Sequence, residues 1–133
     1  TFGAVEASAT AAADALRALD NILDEAEAWQ ASLAGLGVKE ALYVNAAVAS
    51  GTVVFATIGD IDRLEYTVIG EAANLAAKLE KHNKAEKSRA LVPASTYALA
   101  VSQGYAPGVL LELRPGVRVA GVTEAIDLMA RTA

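Results

Sequence analysis

The stretch RLEYTVIGEAANLAAKLE, residues 63–80, decides how this chain is read. It opens on a run rich in strand-forming residues, from Leu64 to Ile69, and passes one glycine, Gly70. An alanine-rich segment with helical spacing follows. This pattern predicts a strand that feeds directly into a helix over 70–82. Asn74 and Lys78 stand four residues apart, so both side chains leave the same helix face. Leu75 and Leu79 form a second such pair, expected to face a sheet. A strand that delivers an amide and a cation on one helix face can be half of a phosphate-handling site. It can equally be a piece of any α/β domain, and spacing alone does not separate the two.

The surrounding chain sets the bounds. Its 133 residues fit one domain, 1–133, long enough to bury a core. A hydrophobic content of 54% with 20% charged residues excludes a disordered chain. The net charge of −5 argues against nonspecific binding to nucleic acid, which needs a basic surface. A nucleotide can still be held by a local cationic pocket or a metal. Without cysteine there is no disulfide framework and no zinc–thiolate site. No charged segment precedes an apolar core at the N-terminus, and a cytoplasmic setting is expected. Residues 41–59 carry no charge and approach the length of a membrane span. Asn45, Ser50, Gly51, Thr52 and Thr57 favour two buried strands with a turn at Ser50-Gly51, so no membrane span is expected.

A long helix is expected over 4–33, with Leu16, Leu19, Ile22, Leu23, Ala26, Trp29 and Leu33 on its apolar stripe. Trp29 reads as a packing residue. Gly35 and Gly37 close the helix. Strands are expected over 42–48, 52–58 and 64–68, followed by the helix that carries Asn74 and Lys78. A short buried strand over 90–92 leads to Pro93, which opens a helix ending before Gly104. Strands over 109–113 and 117–119 flank a turn at Arg114-Pro115-Gly116, and a strand over 126–129 closes the chain. Helices and strands in this order predict an α/β (α+β) sandwich, with helices packed on a mainly antiparallel sheet.

The residues carry one further likeness. Arg63-x-x-Tyr66-Thr67-Val68-Ile69-Gly70-x-x-x-Asn74-Leu75-Ala76-x-Lys78-Leu79-Glu80 resembles the signature of the class III adenylate and guanylate cyclases. Residues 48–54 resemble the strand-turn-strand before that signature, and residues 116–124 the last hairpin. The resemblance implies a ferredoxin-like nucleotide cyclase fold. It implies conversion of ATP to 3′,5′-cyclic AMP and pyrophosphate, by attack of the ribose 3′-hydroxyl on the α-phosphate at a dimer interface. It also implies a homodimer, because each site takes residues from two subunits.

By that resemblance, Asn74 orients the ribose and Lys78 stabilises charge on the α-phosphate. Lys78 stands where the family has arginine, keeping the charge but losing the planar fork. Thr67 stands at the position that contacts the base, and threonine there resembles a bacterial branch that uses ATP in preference to GTP. Ala120 stands where the family has a lysine that reaches the terminal phosphates, and Arg118 is the nearby cation that could replace it. Taken without the resemblance, Asn74 is an exposed helix residue, Lys78 a surface lysine and Thr67 a strand residue. Mg²⁺ or Mn²⁺ is the implied cofactor, held by two aspartates. Thr1-Phe2-Gly3 resembles the end of the strand after the second aspartate, so both metal ligands are expected upstream of Thr1. The 133 residues then form the C-terminal part of the catalytic domain, inactive alone. Asp60 and Asp62 read as solvated turn residues. A second reading is a degenerate homologue that binds nucleotide, or serves regulation or dimerisation, without turnover, and a third is an unrelated ferredoxin-like interaction domain that binds no nucleotide.

Overall fold

The computed structural model describes residues 1–132, the side chain of Tyr66 excepted. In chain order the elements are α1 (Ala11–Gly35), β1 (Ala46–Ala47), β2 (Val54–Gly59), β3 (Leu64–Ile69) and α2 (Glu71–Glu86). Then come β4 (Ser88–Pro93), α3 (Ala94–Ser102), β5 (Glu112–Val117) and β6 (Ile126–Thr132). One sheet has the order β1-β4-β6-β5. Its β1–β4 pair is parallel, and β6 runs antiparallel to both β4 and β5. Strands β2 and β3 form a separate antiparallel ribbon. This is the α/β sandwich expected, with a mainly antiparallel sheet.

Strand β4 shows why two layers of helix are needed. Successive strand side chains point to opposite faces. Ala90 and Val92 join the cluster built on α1, with Leu16, Leu19 and Leu23. Leu91, between them, joins the other cluster with Leu79 of α2 and Leu128 of β6. Burying each such leucine is worth about 1.5–3 kcal/mol. Two polar ties fix the layers. Gln103, beyond α3, accepts hydrogen bonds on Oε1 from the backbone N–H groups of Ala12 (2.9 Å) and Ala13 (3.1 Å). It thereby satisfies donors at the start of α1 that no residue of the helix can reach. Asn83 of α2 is fully buried. It donates to the carbonyl of Ala46 at 2.9 Å and accepts from the Ser88 hydroxyl at 2.8 Å, joining α2 to β1 and β4.

Several expectations need correction. The first helix starts at Ala11, and Ile22 and Trp29 are exposed, Trp29 by 62%. The buried face of α1 is narrower and shorter than the apolar stripe, comprising Ala12, Ala13, Leu16, Leu19 and Leu23. In place of a strand over 42–48, only Ala46–Ala47 pairs, and it pairs with β4. Ser50 and Gly51 therefore join two different sheets and do not turn a hairpin. Strand β2 is mostly exposed, not buried. The signature helix runs four residues past His82, to Glu86. Arg114, Pro115 and Gly116 lie inside β5, where a bulge between Arg114 and Val117 accommodates them, and residues 118 and 119 lie beyond the strand. Strand β6 continues to Thr132. Among the described residues no helix is long and apolar enough to cross a membrane.

Candidate functional site

The junction between β3 and α2 sets the site. Gly70 caps α2, and its carbonyl accepts from the N–H of Asn74 at 3.1 Å. Segment 52–53 passes directly over it: a Cβ on Gly70 would lie 2.8 Å from the Thr52 carbonyl oxygen and 3.1 Å from Val53 Cα. Only glycine fits that approach, and this fixes where the first turn of α2 begins. Asn74 follows one turn later, exposed, with no side-chain hydrogen bond among the described residues. Its amide is free to donate and accept, as contact with a sugar hydroxyl requires.

Lys78 leaves the same face of α2 and is half-buried. Its Nζ donates to the carbonyl of Gly121 at 2.5 Å, reaching across to the loop between β5 and β6. Arg118 is in the same loop, exposed, with Nη1 3.5 Å from the Thr123 carbonyl. Burial alternates through the loop, exposed at Arg118, buried at Val119 and exposed at Ala120. Arg118 and Ala120 thus share the outward side although neither belongs to a strand. Thr67 lies in the ribbon, paired with Ala56 and half-buried. The structure therefore joins Asn74, Lys78 and the Arg118 loop through one helix face and one contact between residues distant in sequence. Thr67 enters from the ribbon, one short connection before the helix.

A metal fits poorly among these residues. No group of three or more His, Asp or Glu side chains among the described residues could hold an ion. Asp60 Oδ1 accepts from the backbone N–H groups of Asp62 (3.0 Å) and Arg63 (3.2 Å), which makes it a turn residue as expected. A cavity of about 600 Å³ lies between the start of α1, α2 and α3. Its walls are mainly small and apolar, among them Ala12, Val48, Ala73 and Leu99, and neither Asn74, Lys78, Thr67 nor Arg118 lines it. The site is an open face, not an enclosed pocket.

Two features escaped sequence reasoning. The Gly121 carbonyl has no side chain to announce it, and only the glycine itself was visible as part of the hairpin motif. The second is a charged cluster at the far end of the sheet. Buried Arg131 lies 2.7 Å from Asp24, 3.5 Å from Glu27 and 3.6 Å from Asp20. Burial opposes its charge, but the Asp24 hydrogen bond and the charges of Asp24, Glu27 and Asp20 outweigh it and raise its pKa. Tyr105 donates its hydroxyl to Asp20 at 2.7 Å. Burial, that hydrogen bond and the Asp20 charge together push its phenol well above the usual range. The acidic groups sit on α1, Arg131 on β6 and Tyr105 just after α3.

With the geometry in place, solved structures give the likeness. The chain is similar to the adenylyl cyclase CyaB from P. aeruginosa, with 18% identity and a TM-score of 0.77 over 99% of this chain and 65% of that one. It is similar to the guanylyl cyclase Cya2, with 21% identity and a TM-score of 0.73 over 97% of this chain and 61% of that one. The fold is cyclase-like. No protein-family model matches the chain, and no curated protein does. The chain spans less than two thirds of the length of either solved cyclase. Within this cyclase-like fold, Asn74 and Lys78 share the exposed face of the helix that follows the ribbon.

Proposed function

We propose that this chain is part of a nucleotidyl cyclase, an adenylate cyclase that makes 3′,5′-cyclic AMP and pyrophosphate from ATP. The carrying observation is the face of α2. It presents an unengaged Asn74 amide one turn from the Lys78 ammonium, on a cyclase-like fold. In this reading Asn74 holds the ribose so that its 3′-hydroxyl lies in line with the α-phosphorus. Positioning of this kind supplies much of the barrier reduction in phosphoryl transfer. Lys78 places positive charge beside the α-phosphate as charge shifts toward the departing pyrophosphate. Arg118 lies in the loop that Lys78 touches and faces the terminal phosphates. Thr67 contacts the base, and its resemblance to the ATP-using bacterial branch supports ATP over GTP. The two solved neighbours divide between adenylyl and guanylyl cyclase, so the fold carries no preference.

Mg²⁺ or Mn²⁺ is the proposed cofactor. The described residues offer it no ligand cluster, so its carboxylates are proposed to lie outside them. The resemblance to the class III cyclases supports a homodimer, because each site in that family takes residues from two subunits. The test is production of cyclic AMP and cyclic GMP by the full-length protein with ATP or GTP and Mg²⁺ or Mn²⁺. Asn74→Ala is expected to cut turnover by at least about 100-fold, the scale seen when a transition-state hydrogen bond is lost. Melting temperature should be unchanged, because Asn74 is exposed. Turnover close to wild type would sink the assignment.

One observation favours the second reading, a nucleotide-binding or regulatory homologue without turnover. Lys78 is engaged by a backbone carbonyl, and Ala120 offers no cation. A folded protein that binds ATP and forms no cyclic product would select it.

A further inference from the structure

We infer that Gly121 is the positioning residue for Lys78, holding the ammonium over the β5–β6 loop; the role rests on the nucleotide reading above. The contact has two parts. The Gly121 carbonyl accepts from Nζ at 2.5 Å, which uses one of the three ammonium donors and leaves two for a ligand. The missing side chain of Gly121 supplies the room. A Cβ built there would lie 3.2 Å from Lys78 Cε, 3.5 Å from Nζ and 3.7 Å from Cδ, so its nearest neighbours all belong to this one lysine. The backbone also has φ +79°, a left-handed conformation that glycine adopts freely.

A long lysine stem otherwise explores many rotamers, and fixing it costs conformational entropy. Docking on Gly121 removes that freedom before any ligand arrives. It adds a polar contact between the α2 face bearing Asn74 and the loop bearing Arg118, two segments whose apolar residues Leu79 and Val119 already share one core cluster. An anionic group such as a nucleotide phosphate would meet Lys78 already placed. Ala120 fits this arrangement, because a cation beside Gly121 would repel the Lys78 ammonium.

Gly121→Ala alone would confound this role with backbone strain. Gly116, in the same hairpin, has φ +61° and nothing within 4 Å of a built Cβ, so Gly116→Ala serves as the matched control. The experiment measures ATP affinity by calorimetry, and melting temperature, for the full-length wild type, Gly121→Ala, Lys78→Met, the double variant and Gly116→Ala. Gly121→Ala should weaken ATP binding by about threefold, because the added methyl pushes the Lys78 stem aside while the carbonyl acceptor stays in place. Gly116→Ala, which carries the backbone strain without the Lys78 contact, should lower the melting temperature less than Gly121→Ala and leave ATP affinity unchanged. In the Lys78→Met background, Gly121→Ala should have no further effect on affinity. Additive losses, or equal losses from the two glycine variants, overturn the proposal. Wild-type protein that binds no ATP overturns the nucleotide reading. The melting temperatures then judge the contact separately: non-additive shifts for Gly121→Ala and Lys78→Met support the docking, and additive shifts remove it.

Discussion

Leu91, in the middle of β4, is fully buried, while Ile58 of β2 is 51% exposed. Both are apolar residues in six-residue strands. Strand β4 has sheet partners on both sides and a helix over each face. Strand β2 has β3 alone, and the ribbon stands apart from the four-stranded sheet. Two-stranded hairpins are marginal in water without further cover. Residue type therefore sets what each segment can become, and topology decides whether its apolar surface is used. The candidate site straddles the divide, with Thr67 on the ribbon and Asn74 and Lys78 on a helix anchored in the core.

The strongest way to break this comparison is Leu79→Ala, which opens a void under α2. A loss of about 3 kcal/mol is expected by urea unfolding, within the range for buried leucines. A loss below 1 kcal/mol would mean that α2 is not held by its apolar face. Next comes Asn83→Ala, which strands the Ser88 hydroxyl and the Ala46 carbonyl in a buried place. About 2 kcal/mol should disappear, since unsatisfied buried groups cost roughly 1–3 kcal/mol each.

Tyr105→Phe is milder, about 1 kcal/mol at neutral pH for one lost hydrogen bond. Its pH dependence sharpens the test. The folded state raises the pKa of this phenol, so folded protein keeps a proton that unfolded protein releases. Below about pH 10, the ordinary tyrosine pKa, both states are protonated and the contribution is fully present. It is lost as pH rises beyond that point. The stability gap between wild type and Tyr105→Phe should therefore shrink above about pH 10, and a constant gap would show that the Asp20 contact does not perturb the phenol.

The smallest effect is expected for Ile58→Ala on the ribbon, below about 0.5 kcal/mol for a surface change in an isolated chain. A much larger loss that grows with protein concentration would show the ribbon covered by a second copy.

Where local periodicity and burial coincide, the sequence was readable. Leu75 and Leu79 marked the buried face of α2, and the same spacing put Asn74 and Lys78 on one face. Pro93 and Gly104 bracketed α3. Reading failed where partners lie far along the chain. Nothing near residues 42–48 says that only Ala46 and Ala47 will pair, since their partner is β4. Pro115 and Gly116 spell a turn locally, yet an edge strand with a bulge tolerates both. Trp29 continues an apolar stripe beyond Leu23, the last buried residue of α1. For the site, side-chain identity revealed Asn74 and Lys78, whereas the Gly121 carbonyl that receives Lys78 is backbone and leaves no trace in residue type.

The ties on α1 have a consequence for biosynthesis. Its first turn is capped by Gln103, its middle holds Tyr105 through Asp20, and Asp24 holds Arg131. During synthesis this helix leaves the ribosome roughly a hundred residues before those partners exist. Its leucine stripe must wait uncovered until the segment from Ala90 to Tyr105 has been translated, so nascent α1 should be a target for chaperones that shield apolar helices.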